Sequence, residues 1–531
     1  MFAAERVPYH QTNSFTKIVN GYLSGAEDLR HFYAFPPTVG GITSAIEKKK
    51  SQALDRGLLV RELKNQYNVV RVNPQVVKNI ELLNSTHTFT ICTAHQPNLF
   101  TGPLYFMYKI IHAIRLADFL KKSLPQYDFV PVYYMGCEDA DFDELNHTFI
   151  NGKKLEWNKQ QTGAVGRMKV DQELLHLIDE MDAQLYLFPH GAEVTALLKR
   201  CYAEGREIQS ATFELINELF GRFGLVVLIP DNTALKQKML HVFEQDIFHQ
   251  SSSSLVAKTS SRLETHYKVQ AHPREINLFY LEGNIRERIV KTGDQYKIHN
   301  TSLSFSEEEL KKELNKHPER FSPNVILRGL FQETILPNVV FIGGGGELAY
   351  WLQLKDLFDH YSVPFPVQVL RNSFLIIQPE QDTLLNKIGI ECKDVFSTEL
   401  EMMNRVLEQQ QKKPTLNGEL HEIQAIYERL QQTAANVDST LLQHVAALKQ
   451  RSVKQLYELE KKMVRSERKK HEAVMNRISR VKKELFPNNN LQERVENFSS
   501  FYARWGHEFM DSIYQNSLTL EQEFVIIKLA T

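Results

Sequence analysis

A strand, a turn, a helix and a second strand follow one another between residues 86 and 150, and this run limits the possible folds most. Thr88 to Thr93 is β-branched or aromatic at most positions. Met107, Ile110, Ile111, Ile114 and Ala117 then recur at helical spacing, and "FVPVYYMG" (129–136) reads as the next strand, with Pro131 near its start. Two strands joined by a helix must run parallel, so the chain is expected to hold a parallel sheet with a right-handed crossover. Further strands are expected at 223–232, within 276–290, at 339–342, within 363–377 and at 523–529. A chain of 531 residues exceeds one simple core.

From Leu420 to Phe486 no Pro or Gly occurs, and apolar residues recur in steps of three and four, from Ile423 through Leu441 and Leu459 to Leu485. That pattern predicts a long antiparallel helical hairpin or coiled-coil arm ending at "FPNNN" (486–490). The fold class expected is therefore α/β: a Rossmann-like parallel-sheet core with inserted connective segments, plus a long α-helical coiled-coil domain. The segments are 1–150 (first half of the core), 151–300 (inserted α+β), 301–385 (second half), 386–490 (arm) and 491–531 (returning to the core).

In open parallel sheets, ligands bind where strands end and helices begin. Three such places stand out. The first is "TAHQPNLFTGP" (93–103), where Thr101 suits a helix N-cap, Pro103 a first turn, and Gly102 a close backbone approach. His95, Gln96 and Asn98 precede it, a setting for a phosphate or carboxylate. The bland alternative is a plain capped helix.

The second is "GCEDADFDELNH" (136–147). Its crowded acids need a cation, an amine or basic side chains beside them. Glu138, Asp139 and Asp141 are the candidates for gripping an ammonium group or Mg²⁺ or for general-base work, with Asn146 and His147 orienting the loop. A solvated acidic loop is the alternative. The third is "FIGGGGELAYWLQLK" (341–355), where Gly343, Gly344, Gly345 and Gly346 permit positive φ and Glu347, Tyr350 and Gln353 follow on the helix. Arg328, Gln332 and Arg371 are weaker candidates. Cys137 has no evident base and reads as a plain thiol.

Four scattered cysteines without C-x-x-C spacing argue against a zinc site or a disulfide framework and fit a reducing cytoplasm. With 63 basic and 64 acidic residues, no global field recruits nucleic acid or an anionic membrane. No apolar run is long enough to span a bilayer.

Together, "TAHQPNLFTGPLYFMYKII", "PVYYMGCEDADFDELNHTFI", "FSPNVILRGLFQETILPNVVFIGGGGELAYWLQLK" and "LQERVENFSSFYARWGHEF" resemble the cysteine-adding enzymes of bacillithiol biosynthesis, in order and over nearly the whole chain. Ala94, His95 and Asn98 stand where that family usually has Gly, Gln and Gly, and Ala140 where it has His. The resemblance implies a ligase joining L-cysteine to glucosaminyl-malate, with ATP activating the carboxylate through a cysteinyl-adenylate and Mg²⁺ as a possible companion. It also implies a homodimer formed through the arm and a nucleotide site near the arm's junction. Arg328 and Arg371 would pair with malate carboxylates, and the Gly343–Glu347 turn with Tyr350 and Gln353 would hold the acceptor. A different Rossmann-type adenylate-forming ligase or nucleotidyltransferase, or a non-catalytic coiled-coil scaffold, are the competing readings.

Overall fold

The computed structural model describes residues 3–161, 163–410 and 412–529. Its described strands are, in chain order, β1 (Ala3–Pro8), β2 (Thr88–His95), β3 (Asp128–Met135), β4 (His147–Ile150), β5 (Lys153–Glu156), β6 (Val226–Leu228), β7 (Leu278–Glu282), β8 (Ile285–Thr292), β9 (Gln295–Ile298), β10 (Ser304–Ser306), β11 (Phe321–Pro323), β12 (Asn338–Gly343), β13 (Val367–Leu370), β14 (Phe374–Ile377) and β15 (Glu523–Lys528). The central sheet has the order β13-β12-β2-β3-β6, and its pairs are all parallel. The chain builds outward from β2 through β3 to β6, then restarts on the other side of β2 with β12 and β13. The order therefore reverses between β2 and β12, and a crevice opens at such a point beyond the carboxyl ends of the strands.

The central strands are buried along nearly their whole length, as expected for a sheet covered on both faces. Phe89, Ile91, Val340, Ile342, Val367 and Val369 pack with Ala113, Leu116 and Leu120 of the Tyr105–Ser123 helix and with Ile42 and Ile46 of the Val39–Lys50 helix. An antiparallel sheet, β10-β9-β8-β7-β11, is inserted between β6 and β12. Strands β4 and β5 form a hairpin after the acidic loop, and β1, β15 and β14 form a third sheet.

Two strand expectations change. Pro131 lies in the middle of β3, opposite Ile91. Asp128 and Gly136 donate their N–H groups toward β2, to His87 and His95. By alternation, the missing N–H of Pro131 falls on the β6 side. There pairing starts only at Val226, opposite Val132, so no ladder bond is lost. The segment 363–377 holds two strands rather than one, because the chain turns at Arg371–Ser373 and β14 joins a different sheet.

The chain forms two compact units. One comprises residues 6–375 and 490–525, and the other residues 376–489 with the described residues up to Glu5 and from Ile526. In the second unit the helices Asn417–Val437 and Leu441–Lys470 lie antiparallel, with Tyr427 bonded to Ser452 at 2.7 Å and Glu428 paired with Lys449 at 3.3 Å. Ile478, Val481 and Leu485 are buried, whereas Ile426, Leu430, Leu441, Leu448, Leu459 and Met463 of the expected apolar row are exposed. Of these two helices only Leu420 and Val464 are buried, and the seam between them is half-covered, so much of the apolar row faces outward. No helix among the described residues is long and apolar enough to cross a membrane.

Candidate functional site

One cavity of about 590 Å³ opens at the crevice between β2 and β12, within the larger unit. Ala94, His95 and Gln96 reach it from the end of β2, and Gly136 and Asp139 from beyond β3. Gly344, Gly345, Gly346, Glu347 and Tyr350 reach it from beyond β12, and Arg371 from the end of β13. Three sequence-distant loops thus meet in one place. Lys109, Arg328, His272, Arg274, Arg286 and Arg494 complete the charged lining.

The character of the site is set by which cations have partners. Lys109 pairs with Glu347 and donates to the Ala94 carbonyl at 2.9 Å. Arg328 holds Asp139 through both Nη atoms at 3.2–3.3 Å, and Gln96 donates to the same carboxylate oxygen at 3.3 Å. Arg371 pairs with Glu493 at 2.7 Å and lies over the Tyr105 ring. By contrast, Arg274, Arg286 and Arg494 form no ion pair among the described residues. Arg286 stacks on Phe279 and donates to Ser322 at 3.2 Å, and burial pulls its guanidinium down to about 10 although Asp139 opposes this. Burial and the neighbouring Arg371 also lower Arg494. Arg286 is buried, whereas Arg274 and Arg494 are exposed, and like charges gathered around one cavity favour an anionic ligand.

His95 is held well below the usual imidazole range by burial and by Lys109 and Arg371, so the ring is neutral at pH 7. Its buried Nε2 has no hydrogen-bond partner among the described residues. Tyr105 and Phe106 fix the ring edge-on and at a tilt, each 5.3 Å away, and Tyr133 bonds the His95 carbonyl at 3.0 Å. This is a pre-set polar group with an open valence.

Several expected site residues lie elsewhere. Thr101 does not cap the helix. Phe100 and Thr101 are left-handed, with φ of 49° and 74°, Leu104 precedes the first helical residue, and the Thr101 hydroxyl is buried without a partner among the described residues. Asn497 holds this turn by donating to the carbonyls of Phe100 and Gly102 at 2.9 and 2.7 Å. Gly102 has φ of 64°, and a Cβ there would lie 2.7 Å from that of Asn98, so glycine serves packing rather than ligand approach. Asn98 is buried and donates to the Glu144 carbonyl at 3.3 Å.

Glu138 turns away from the cavity into a buried group, paired with Lys236 beside Asp231 and Arg167. Asp141 is exposed and does not line the cavity. Asn146 and His147 bond each other at 3.1 Å where the acidic loop passes into β4. Gln332 is buried against Glu333, and Gln353 bonds backbone groups of residues 270 and 271. Cys137 is buried, which pushes its thiol well up and leaves it inert. The acidic loop is therefore not a free anionic site, because its carboxylates at the core already have cations.

None of Gly343 to Gly346 has positive φ. A Cβ at Gly343 would meet Phe341 at 2.9 Å and Glu347 at 3.0 Å, whereas one at Gly346 would meet nothing within 4 Å. Gly343→Ala is expected to lower stability by about 1–3 kcal/mol through overpacking. Gly346→Ala is expected to leave the unfolding midpoint in place and to raise KM only, since it narrows the cavity. Thermal unfolding and steady-state kinetics of both variants check the contrast.

Asp139 adds a pH dependence. Burial favours its neutral form, but Arg328 and Arg286 outweigh that and hold the carboxyl at about 2, below its ordinary 3.8. A depressed carboxyl contributes stability above the unfolded value, and this is lost as pH falls through the folded one. A contribution of about 2 kcal/mol is expected to fade between pH 4 and 2. It should be missing from the acid unfolding curve of Asp139→Asn.

Reasoning from sequence missed Lys109, Arg274, Arg286, Glu493 and Arg494. Lys109 had left one signal, a cation set between the apolar positions Met107, Ile110 and Ile111 of a buried helix.

Comparison with known proteins gives concordant results. The family model "Bacillithiol biosynthesis BshC, N-terminal Rossmann-like domain" matches residues 2–372, and "Bacillithiol biosynthesis BshC, C-terminal coiled-coil domain" matches residues 374–529. Proteins named "Putative cysteine ligase BshC" are similar from end to end. The one from Flavobacterium psychrophilum is 38% identical, covering 98% of this chain and 99% of that protein. The Flavobacterium johnsoniae protein is 38% identical over 98% and 99%, and the Cytophaga hutchinsonii protein 36% over 97% and 97%.

Proposed function

The chain belongs to the BshC family of bacillithiol biosynthesis, and from that premise we propose that it is a ligase joining the carboxyl group of L-cysteine to the amine of glucosaminyl-malate, with ATP supplying the activation. The observation that carries this reading is the set of three guanidinium groups without an ion pair among the described residues, Arg274, Arg286 and Arg494, around one cavity that also holds a neutral histidine. The reactants are rich in anions, with two carboxylates on the malyl group, one on cysteine and the phosphates of ATP. Planar guanidinium groups match these geometries well.

Amide formation from a free carboxylate is uphill in water. In the proposed sequence, a cysteine carboxylate oxygen attacks the α-phosphorus of ATP and pyrophosphate leaves. The acceptor nitrogen then attacks the carbonyl carbon of the cysteinyl-adenylate, the C–O bond to AMP breaks, and the nitrogen sheds a proton. His95, neutral and unpartnered, is suited to receive it. Arg494, near Arg371 and Tyr105, serves the phosphate and carboxylate end. Arg274 and Arg286, carried by the inserted segment, serve the malyl end. Asp139, already paired, keeps Arg328 in place at the cavity wall.

A protein-held Mg²⁺ does not fit these residues. Glu138 pairs with Lys236 and Asp139 with Arg328, and no group of three His, Cys, Asp or Glu among the described residues could hold a metal ion. Any Mg²⁺ would arrive with the nucleotide.

Incubating the purified protein with L-cysteine, glucosaminyl-malate and ATP should yield bacillithiol together with AMP and pyrophosphate. Product without pyrophosphate would overturn the adenylate, and no amide under any nucleotide would overturn the ligase. The exposed apolar row from Ile426 to Met463 also supports a homodimer through the arm. Light scattering should give twice the chain mass, and Leu430→Glu/Leu448→Glu should give a single chain mass. A monomeric parent protein at micromolar concentration would reject the dimer.

A further inference from the structure

Residues 270–277 form neither helix nor strand, yet they bound the cavity described above. An irregular segment has no ladder to satisfy its backbone. Here two fully buried amide side chains do so, one near each end. Gln353 Oε1 accepts the N–H groups of Gln270 and Ala271, both at 2.9 Å, while its Nε2 donates to the Ala271 carbonyl and to Ser260 Oγ, both at 2.7 Å. Asn277 Oδ1 accepts from Arg274 N–H at 3.1 Å and from Asn324 Nδ2 at 3.0 Å. Its Nδ2 donates to the Arg274 carbonyl at 2.9 Å and to Asp246 Oδ1 at 3.1 Å.

Both amides thus use their whole hydrogen-bonding capacity, two bonds accepted and two donated. Asp246, itself fully buried, anchors Asn277 a second time through the backbone N–H at 2.5 Å. The side chains between the clamps behave differently. His272 and Arg274 are exposed, line the cavity, and have no side-chain hydrogen bond or ion pair among the described residues. The backbone is fixed while the functional groups it carries are left free. That is the arrangement expected where a cation must be pre-set for a ligand.

We propose that Asn277 and Gln353 are positioning residues that hold the 270–277 strap so that Arg274 grips a carboxylate of the anionic acceptor at the cavity mouth. The acceptor's identity rests on the ligase reading, whereas the clamp does not. Asn277 acts on Arg274 directly, through both its N–H and its carbonyl. Gln353 fixes the entry of the strap and acts on His272 and Arg274 together.

Calorimetric titration of the full chain with L-malate tests this without turnover. Arg274→Ala is expected to weaken malate binding about tenfold, as loss of a charge-assisted contact should. Asn277→Ala is expected to weaken it comparably, and the double variant to bind no more weakly than the worse single one. Gln353→Ala should show the same non-additivity with Arg274→Ala. If Asn277→Ala fails to fold, Asn277→Ser retains one donor and one acceptor and is expected to give a smaller loss that also vanishes in the Arg274→Ala background. Multiplying effects in the double variants would overturn the clamp. Unchanged affinity in Arg274→Ala, or no malate binding by the parent protein, would overturn the grip of Arg274 on a carboxylate. Amide synthesis is scored separately: its absence beside an intact, non-additive malate pattern would reject the ligase and leave the clamp standing.

Discussion

Replacing His95 by alanine is expected to lower kcat by about 10²- to 10⁴-fold, the range for removal of a positioned proton-transfer group, while KM for cysteine and for the acceptor shifts little. The expectation follows from a ring that touches the cavity, is fixed by Tyr105 and Phe106, and has a buried nitrogen without a partner among the described residues. Burial, Lys109 and Arg371 all disfavour its protonated form. A histidine lowered in this way binds fewer protons folded than unfolded. Its neutral form therefore persists on acidification past the ordinary value of 6.5, and it costs stability as pH falls below that value. The acid limb of kcat/KM assigned to His95 should thus lie below pH 6.5. A limb at or above 6.5 that disappears in His95→Ala would show a normally titrating ring and would reject this account. A kcat change under threefold would remove His95 from the chemistry.

Lys49→Met is expected to be the most destabilising change outside the cavity, at about 3–5 kcal/mol. Lys49 and Glu333 are almost wholly buried, at 1% and 0% side-chain exposure, with Nζ 3.4 Å from the carboxylate and 2.8 Å from the Glu333 carbonyl. Glu333 also accepts from Gln332 at 2.8 Å and from Asn338 at 2.7 Å, and Asn338 in turn accepts from Thr90 at 3.1 Å. This network ties the Val325–Ile335 helix to the start of β12 and to β2. Burial lowers the lysine and raises the carboxyl, and each partner opposes the other's shift. Removing the lysine alone strands a carboxylate away from water. Glu333→Gln should cost less than Lys49→Met, because it keeps an acceptor for the two amides. Urea unfolding of both variants measures the order, and equal losses would mean that hydrogen bonding rather than charge dominates.

The parts of the fold legible in the sequence are those written in local periodicity. Thr88–Thr93 is β-branched or aromatic at most positions and carries no charge because both faces of β2 are covered, and the Pro- and Gly-free run after Leu420 is mostly helical. The three turns that meet at the cavity are also marked locally, by His95, by Asp139 and by the glycines after β12. What the local text could not reveal is pairing. Thr101-Gly102-Pro103 has the residues of a helix start. Its geometry is instead decided by Asn497, almost four hundred positions later, which draws Phe100 and Thr101 into left-handed backbone. The acids after β3 look like a free anionic loop until Arg328 and Lys236 are placed against them. Arg274, Arg286 and Arg494 come from an insertion and from the returning segment, where no strand end marks them. Gln353 shares a helical face with Tyr350 on paper, but it lies past the end of the Gly345–Trp351 helix and its amide is taken by the strap.

Glu493, Arg494 and Asn497 follow the residue 376–489 helices in chain order, although they finish a cavity whose other walls are laid down by residue 371. During translation, the ribosome must therefore deliver almost the entire polypeptide before the β2 turn is pinned and Arg371 is neutralised. A nascent or prematurely released fragment carries an unfinished pocket.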